Sequence, residues 1–384
     1  MRTTKAIIHL ENLRHNVASI KDTLKKDVKM CIAIKADAYG HGAVPCAKVA
    51  VDAGADYLAI ATVDEGIELR TNGIKVPLLL LSLCSPDEIP DAVRYGLTPF
   101  VFDSEYIQLF AGVCKSVGIK DFPVHLAVDT GMGRIGCLPK QAGKFAREIV
   151  NTGVLVLGGT GTHFALSDGI SKDAVKYTKR QAEEFNTAIK SIRKMGIEPG
   201  ICHCSNSAAT LNNPEFHYDM VRPGIIAYGY YCDEVSREFL ASKKKKIDLK
   251  PVMTVETSVC AIRHFEKGKS VGYGCTWVAE EDTDIAVLPV GYDDGWFRRF
   301  STKGVTVTIN GASYPVRGRI CMDQCMVELG TDHKVKRWDK AILFGCAEDG
   351  ALQTADDIAR LTGTIPYEIL CGISKRVPRV YIGE

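Results

Sequence analysis

Residues 6–35 read AIIHLENLRHNVASIKDTLKKDVKMCIAIK, the first complete unit of a pattern that the chain then repeats. The two ends of this segment, Ala6–Leu10 and Met30–Lys35, are short apolar runs typical of buried strands. Between them lie apolar residues at the spacing of one helix face: Leu13, Val17, Ile20 and Leu24. A strand, a helix and a second strand in this order predict a parallel sheet.

The same alternation continues to about residue 230 and predicts eight or nine strand-and-helix units. A long charged segment of helical period, Lys176–Met195, lies among them. The remaining strand candidates are Tyr57–Ala61, Val76–Ser82, Thr98–Phe102, Val124–Asp129, Val154–Gly158, Gly200–Cys202 and Met220–Tyr228. This number of units favours a closed barrel over an open doubly wound sheet. The absence of a G-x-G-x-x-G motif after the first strand also argues against the doubly wound sheet.

After about residue 245 the helical spacing fades, and short strands with glycine-containing turns are expected. These strands are Val252–Ile262, Ser270–Val278, Asp284–Val290, Val305–Ile309 and Cys325–Leu329. The basic run Lys243–Lys246 is interpreted as a solvated connector between domains. The predicted fold class is therefore α/β: a (β/α)8 TIM-type barrel over residues 8–240, then a mainly β C-terminal domain over residues 241–384, which residues 1–7 could join.

Composition narrows the class of protein. A length of 384 residues favours two domains, and 46% hydrophobic with 24% charged residues is typical of a folded globular chain. A net charge of +2 predicts no nucleic-acid partner. The longest apolar run, Val76–Leu83, is too short to span a bilayer, so no membrane partner is expected.

Cysteine usage favours a cytoplasmic location. Many of the 14 cysteines lie inside apolar strand-like runs, and the N-terminus carries no secretion signal, so reduced thiols are expected. No C-x-x-C pair occurs, and Cys202-His203-Cys204 alternates along a strand. We therefore expect no metal site.

The segment CIAIKADAYGHG, residues 31–42, is the sharpest chemical signal. An apolar strand there ends in Lys35, and a lysine at the carboxyl end of a barrel strand points to the mouth where active sites lie. Partial desolvation lowers the pKa of such a lysine and makes it nucleophilic, which suits covalent bonding to a carbonyl cofactor. Most strand-end lysines simply reach solvent, so this interpretation needs other evidence.

Two later segments supply that evidence. Ser205-Asn206-Ser207 and Arg222-Pro223-Gly224-Ile225 each follow a late strand, where barrel loops commonly bind phosphate through backbone NH groups and hydroxyls. Each segment alone could be an ordinary turn. Together with the lysine they indicate a phosphorylated cofactor.

These segments, in this order, resemble alanine racemases of the fold-type III pyridoxal-phosphate class along nearly the entire chain. The resemblance rests on ADAYGHG at 36–42, DTGMGRIG at 129–136, THF at 162–164, His203 with NSAA at 206–209, GYG at 272–274, GYDDGW at 291–296, GRICMDQ at 318–324, and Tyr367-Glu368 with RVPR at 376–379. It implies a homodimer that interconverts L-alanine and D-alanine.

The resemblance also implies the cofactor site. Lys35 would hold pyridoxal 5'-phosphate covalently, and Arg222 would face the pyridine nitrogen. A cationic arginine cannot readily stabilise a protonated ring, so it should suppress side reactions such as transamination. The phosphate anchors implied by the resemblance are Tyr39, Ser207, Gly224, Ile225 and Tyr367.

Racemisation needs a base and an acid on opposite faces of Cα. By resemblance these groups are Lys35 and Tyr273, the latter from the β domain of the partner subunit. His163, assigned to the cofactor site, would join a hydrogen-bond network that favours ionised Tyr273. The implied substrate residues are Arg134, Met322, Asp323 and Tyr292. Without the resemblance, these side chains could be ordinary core, turn or surface residues.

One position departs from the family pattern. Many members carry a lysine, carbamylated in the folded enzyme, seven positions before the arginine, and here that position is Ala127. No carbamate can form there. Our hypothesis is that a bound anion such as chloride, or a water network, positions Arg134 instead.

Three alternatives remain at this point. A serine or broader-specificity racemase would use the same catalytic pair, although Tyr292 and Tyr367, as a narrow gate, favour alanine. A decarboxylase would need a carboxylate at the pyridine nitrogen, which we do not find. A non-catalytic pyridoxal-phosphate protein would lack the second domain. The family further suggests that the D-alanine supplies peptidoglycan.

Overall fold

A computed structural model describes residues 2–383. Its strands, numbered in chain order, are β1 (Lys5–His9), β2 (Lys29–Ala33), β3 (Tyr57–Ile60), β4 (Leu78–Leu80), β5 (Leu97–Val101), β6 (Phe122–Ala127), β7 (Leu155–Gly161), β8 (Ile201–His203), β9 (Met220–Val221), β10 (Met253–Ser258), β11 (Ala261–Phe265), β12 (Ser270–Val271), β13 (Trp277–Val278), β14 (Thr283–Leu288), β15 (Thr306–Ile309), β16 (Ala312–Arg317), β17 (Cys325–Gly330), β18 (Lys340–Phe344) and β19 (Arg379–Ile382).

The helices are α1 (Leu10–Asp22), α2 (Lys35–Gly40), α3 (Ala43–Asp52), α4 (Val63–Thr71), α5 (Ile89–Arg94), α6 (Ser104–Val117), α7 (Ala142–Asn151), α8 (Lys172–Lys194), α9 (Ser207–Asn212), α10 (Arg237–Ser242), α11 (Ala355–Thr362) and α12 (Pro366–Gly372). The amphipathic segment predicted over residues 176–195 is α8, which buries Phe185 and Ile192 on one face.

The first sheet is a nearly closed barrel of eight parallel strands, β2 to β9, which confirms the predicted (β/α)8 class. At the seam, β2 pairs with β9. Between β9 and β8, the amide of Asp219 donates to the carbonyl of Cys202 and that of Arg222 to Ser205. All strand carboxyl ends therefore meet at one mouth, where a barrel places its site.

Strand β1 does not belong to this barrel, and its sequence-based placement as the first barrel strand was wrong. It lies in the second, nine-stranded sheet, antiparallel to β10 and parallel to β19. A short apolar run does not specify its pairing partner, because the partners here are more than 240 residues away in sequence. The second sheet, with the β12–β13 hairpin, forms the mainly β part that was expected. The limits of the two domains stay a prediction.

Two predicted strands are broken by turns. In Met220–Tyr228 only β9 is extended, and Ile225–Tyr228 form a 3₁₀ turn. Within Ser270–Val278, β12 and β13 flank the 3₁₀ turn Tyr273–Cys275. Gly272, with φ of +76°, directly follows β12, and Gly224 precedes the 3₁₀ turn after β9, so apolar composition overstated the length of both strands.

Buried apolar side chains of the barrel and of the second sheet form one continuous cluster. All fourteen cysteines are free thiols. The connector Lys243–Lys246 is mostly exposed, but Lys245 donates to the carbonyls of Leu211 and Asn212. Among residues 2–383 no helix has both the length and the apolar character that crossing a membrane requires.

Candidate active site

Lys35 lies at the barrel mouth and begins a turn of left-handed sense. Residues 36–39, none of them glycine, have φ between +53 and +54°. Such a conformation costs an L residue roughly 1–2 kcal/mol, so external contacts must hold it. The Ala36 amide donates to Glu65 at 2.6 Å, the Ala43 amide to Asp37 at 2.7 Å, and Arg379 to the Gly40 carbonyl at 2.9 Å.

This strained turn sets the directions of two predicted cofactor residues, Lys35 and Tyr39, from one short segment. The Tyr39 ring is buried against Tyr228, with centroids 4.9 Å apart. The sequence predicted a glycine-bearing turn here, but Gly40 and Gly42 only follow the left-handed residues.

Lys35 shares a pocket of about 290 Å³ with Arg134, His163 and Arg222, three other predicted site residues. Ala127, at the end of β6, lies in the same wall. The structure thus brings together the barrel's candidate base, its cations and the position of the missing family lysine.

Arg222 is the buried centre of the pocket's hydrogen bonds. Its Nη1 donates to His203 Nδ1 at 2.6 Å, and its Nη2 donates to the Thr162 carbonyl at 2.7 Å and His163 Nδ1 at 3.2 Å. Because a guanidinium can only donate, both histidines must accept at Nδ1 and carry their proton on Nε2. Arg222 therefore fixes two tautomers at once.

Burial and the mutual repulsion of the positive charges in this pocket lower the pKa values of Lys35 and His163. Burial, and next the positive charge of Arg134, lower the pKa of Lys35 from its ordinary value. Burial, followed by Arg222, lowers the pKa of His163 to about 3. Lys35 is therefore easier to deprotonate than a surface lysine, and His163 is neutral at physiological pH.

A second group of predicted residues lies beside this pocket. The Gly224 amide donates to Ser207 Oγ at 2.8 Å, and Ile225 follows at the start of a 3₁₀ turn. A Cβ on Gly224 would lie 2.6 Å from the Tyr39 hydroxyl, so a larger residue would displace the tyrosine. The half-buried Tyr367 ring on α12 lies 5.5 Å from that of Tyr39.

The predicted residues of the β domain do not join the pocket within the described chain. Tyr273 is 66% exposed, and Tyr292 and Met322 are exposed too. The Asp293 amide donates to the Met322 carbonyl at 3.1 Å, which ties two of these loops together. Asp323 accepts from Arg376 at 2.8 Å.

The backbone of the Gly-Tyr-Gly turn favours glycine on both sides of the tyrosine. Gly272 and Gly274 both have positive φ, and a Cβ on Gly274 would lie 2.7 Å from Arg319 Nη1. The turn therefore presents Tyr273 outward on a defined backbone.

Arg134 lies at the edge of the pocket and is exposed. Among the described residues no carboxylate forms a salt bridge with it, and the anion hypothesis stays a prediction. Ala127 is 5% exposed and offers no polar group.

Sequence reasoning missed the pair of histidines behind Arg222. His125 was not singled out, and His203 was noted without a role. The signal available was glycine within a strand, which marks close approach. A Cβ on Gly159 would lie 2.5 Å from His125, and one on Gly161 would lie 2.5 Å from His203.

Comparison with known families matches this architecture. The family model "Alanine racemase, N-terminal domain" matches residues 8–232, and "Alanine racemase, C-terminal domain" matches residues 252–381. The barrel, the β domain and the lysine-bearing pocket therefore define an amino-acid racemase, which is an isomerase. The chain belongs to the alanine racemase family.

Individual relatives agree with this assignment. The chain is 47% identical to the alanine racemase of Treponema denticola, over 100% of this chain and 99% of the relative. It is similar to the solved alanine racemase of Clostridium difficile 630, with a TM-score of 0.90, 40% identity and coverage of 100% and 96% of the two chains. The structure from Bacillus anthracis with bound L-Ala-P has a TM-score of 0.91, 34% identity and the same coverage.

Proposed function

We propose that this isomerase interconverts L-alanine and D-alanine by a two-base mechanism that uses pyridoxal 5'-phosphate, with each active site shared between two subunits. The observation that carries the proposal is the pocket in which Lys35, with its lowered pKa, faces the buried Arg222 and neutral His163.

The residues present fit the cofactor. Lys35 offers a partly desolvated amine for its aldehyde. For the phosphate, the chain offers the Tyr39 and Ser207 hydroxyls and the backbone of Gly224, where a Cβ would fill the space. Ile225 and Tyr367 complete this proposed group. When bound, pyridoxal phosphate would delocalise the electron pair left on Cα after a proton is removed.

The chain's own residues move and position the proton. Lys35 Nζ would remove or return the Cα proton on one face, and the Tyr273 hydroxyl of the partner subunit on the other. The lowered pKa of Lys35 lets its amine act as a base nearer neutral pH. Arg134 would bind the substrate carboxylate.

His163 would prepare that tyrosine. With Nδ1 accepting from Arg222, its protonated Nε2 is the free donor, and this hydrogen bond would stabilise an ionised phenolic oxygen. Arg222 would keep a permanent positive charge beside the pyridine nitrogen.

The exposed residues of the β domain are the reason for proposing a second subunit. Tyr273, Tyr292 and Met322 are exposed together on the β domain and lie outside the wall of their own pocket. A homodimer would place them over the partner's pocket, with Met322 and Asp323 beside the substrate. Tyr292 and Tyr367 would narrow the gate to small side chains, which favours alanine over serine. We place the reaction in the cytoplasm, with D-alanine used for peptidoglycan.

The test is spectroscopic and chiral. Purified protein should show a near-visible absorption band that borohydride removes, and should form D-alanine from L-alanine faster than D-serine from L-serine. Lys35→Ala is the control that should lack both the band and the activity. A band without racemisation of either amino acid would contradict the proposed function, and equal rates would contradict the proposed gate.

A further inference from the structure

We propose that His125 is a positioning residue for racemisation, acting through His203 to hold Arg222 in place. The inference rests on the proposed function, because Arg222 is assigned to the cofactor there. Its structural part can be tested without that assignment.

The geometry is a line of three side chains across the barrel interior. Arg222 Nη1 lies 2.6 Å from His203 Nδ1, and His203 Nε2 lies 2.9 Å from His125 Nδ1. All three are buried, with no more than 7% of any side chain exposed. No carboxylate hydrogen-bonds to any member among residues 2–383.

The direction of the two hydrogen bonds is fixed by Arg222. Since the guanidinium only donates, His203 accepts at Nδ1 and carries its proton on Nε2. That proton is donated to His125 Nδ1, so His125 also carries its proton on Nε2. Both rings are neutral, because burial first and the charge of Arg222 second lower the pKa of His125 to about 3 and that of His203 well below its ordinary value.

Strand β7 makes the room for these rings. Gly159 lies against the His125 ring, and Gly161 lies against the His203 ring. A Cβ on either glycine would lie 2.5 Å from a ring atom. Phe100 fills the other side, with ring centroids 6.1 Å from His125 and 5.7 Å from His203. Two glycines on one strand therefore provide space for two imidazoles in contact.

His125 fixes the orientation of His203. If the acceptor at His125 Nδ1 were lost, the buried Nε2–H of His203 would have no partner, and the ring would gain by turning toward another acceptor. Such a turn takes the Nδ1 acceptor away from Arg222 Nη1. The guanidinium would then lose its shortest side-chain contact and its fixed position.

The test uses a pair of variants of nearly equal shape. His125→Asn keeps an acceptor close to the position of Nδ1, whereas His125→Leu does not. We expect kcat for alanine to fall about tenfold in the leucine variant, with little change in KM, and to recover in the asparagine variant. Phe110→Leu, which loosens packing in the core outside the pocket without removing a hydrogen bond, should leave kcat near the wild-type value.

The second readout is ¹⁵N NMR of the histidine-labelled apoenzyme, where the chain's nine histidines allow assignment by substitution. The wild type should show His203 and His125 neutral and protonated on Nε2. The Nε2–H of His203 should keep the ¹⁵N chemical shift of a hydrogen-bonded donor in His125→Asn and lose it in His125→Leu.

Three results would overturn the proposal: a wild-type His203 protonated on Nδ1 or on both nitrogens, an equal loss of kcat in the two His125 variants, or a leucine variant with unchanged kcat. The wild-type spectrum decides the structural part even if the leucine variant does not fold. If the wild type fails to racemise alanine while the tautomers are as expected, the proposed function fails and the hydrogen-bonded line remains.

Discussion

The barrel pocket and the exposed loops of the β domain contain the two halves of the predicted site, and they are built in opposite ways. In the barrel, Arg222 is buried and held by four acceptors before any ligand arrives. In the β domain, Tyr273 is 66% exposed and lies outside the wall of the barrel pocket. The residues of the first half are positioned by contacts within one chain, whereas those of the second half would be covered only by a partner subunit.

This difference indicates what each half contributes. Buried, neutral histidines and a permanent cation suit the fixed electrostatics around a cofactor. An exposed tyrosine on the Gly-Tyr-Gly turn suits a group that acts on another subunit. Two results would contradict this division of roles: a Tyr273 that acts on the pocket of its own chain, or a buried half that tolerates substitution.

The largest effect is expected from Tyr273→Phe. Removal of one acid–base group should lower racemisation about 10²–10⁴-fold while the cofactor absorption band remains. The half-buried Tyr314→Phe, in β16, is the matched control and should be unaffected. Nearly full activity in Tyr273→Phe would remove the exposed half from the chemistry.

Arg222→Lys tests the buried half. Lysine keeps the charge but not the planar fork, and each lost charge-assisted hydrogen bond should contribute about 1.5–3 kcal/mol, so we expect kcat to fall about 10–100-fold. Arg70→Lys is the control, since Arg70 also donates to several carbonyls but lies outside the pocket. If both variants lost the same activity, the effect would be structural.

A smaller effect is expected on the pH dependence of cofactor loading. Burial and then Arg134 lower the pKa of Lys35. Removing the cation in Arg134→Gln favours the protonated amine again, so the pKa of Lys35 should rise. The apoenzyme variant should then need a higher pH to bind the cofactor at the wild-type rate. Arg134→Lys should keep the wild-type profile. A shift to lower pH in the glutamine variant would contradict the assigned cause.

The smallest effect is expected from Ala127→Lys, which restores the lysine that many family members carry. If the buried side chain becomes carbamylated and contacts Arg134, activity should change by no more than about tenfold and only with bicarbonate present. Ala127→Gln should show no bicarbonate dependence. A bicarbonate-independent change in Ala127→Lys would indicate disturbed packing.

Much of the fold could be predicted because its signals are local. Apolar runs alternating with helical spacing gave the barrel, and the loss of that spacing gave the β domain. The partner of β1 could not be predicted, since its pairing with β10 and β19 depends on segments far away in sequence.

The site was predicted from motifs, and its supporting contacts were not. Lys35 and Arg222 follow strands of the same barrel, so their meeting at the mouth was expected. Nothing in Ala-Asp-Ala-Tyr indicates a left-handed turn. The turn depends on hydrogen bonds with Glu65 and Arg379, which are distant in sequence. His125 was missed because the glycines that indicate its close packing lie on another strand, β7, and not beside it in sequence.

Mixing two inactive variants tests the shared site most directly. Lys35→Ala and Tyr273→Phe would be co-expressed with different tags, and the mixed dimer isolated and assayed for D-alanine formation. Each mixed dimer should contain one intact site, so it should have about half the activity of a wild-type dimer. A mixed species no more active than its two parents would contradict the account, because Lys35 and Tyr273 would then have to act within one chain.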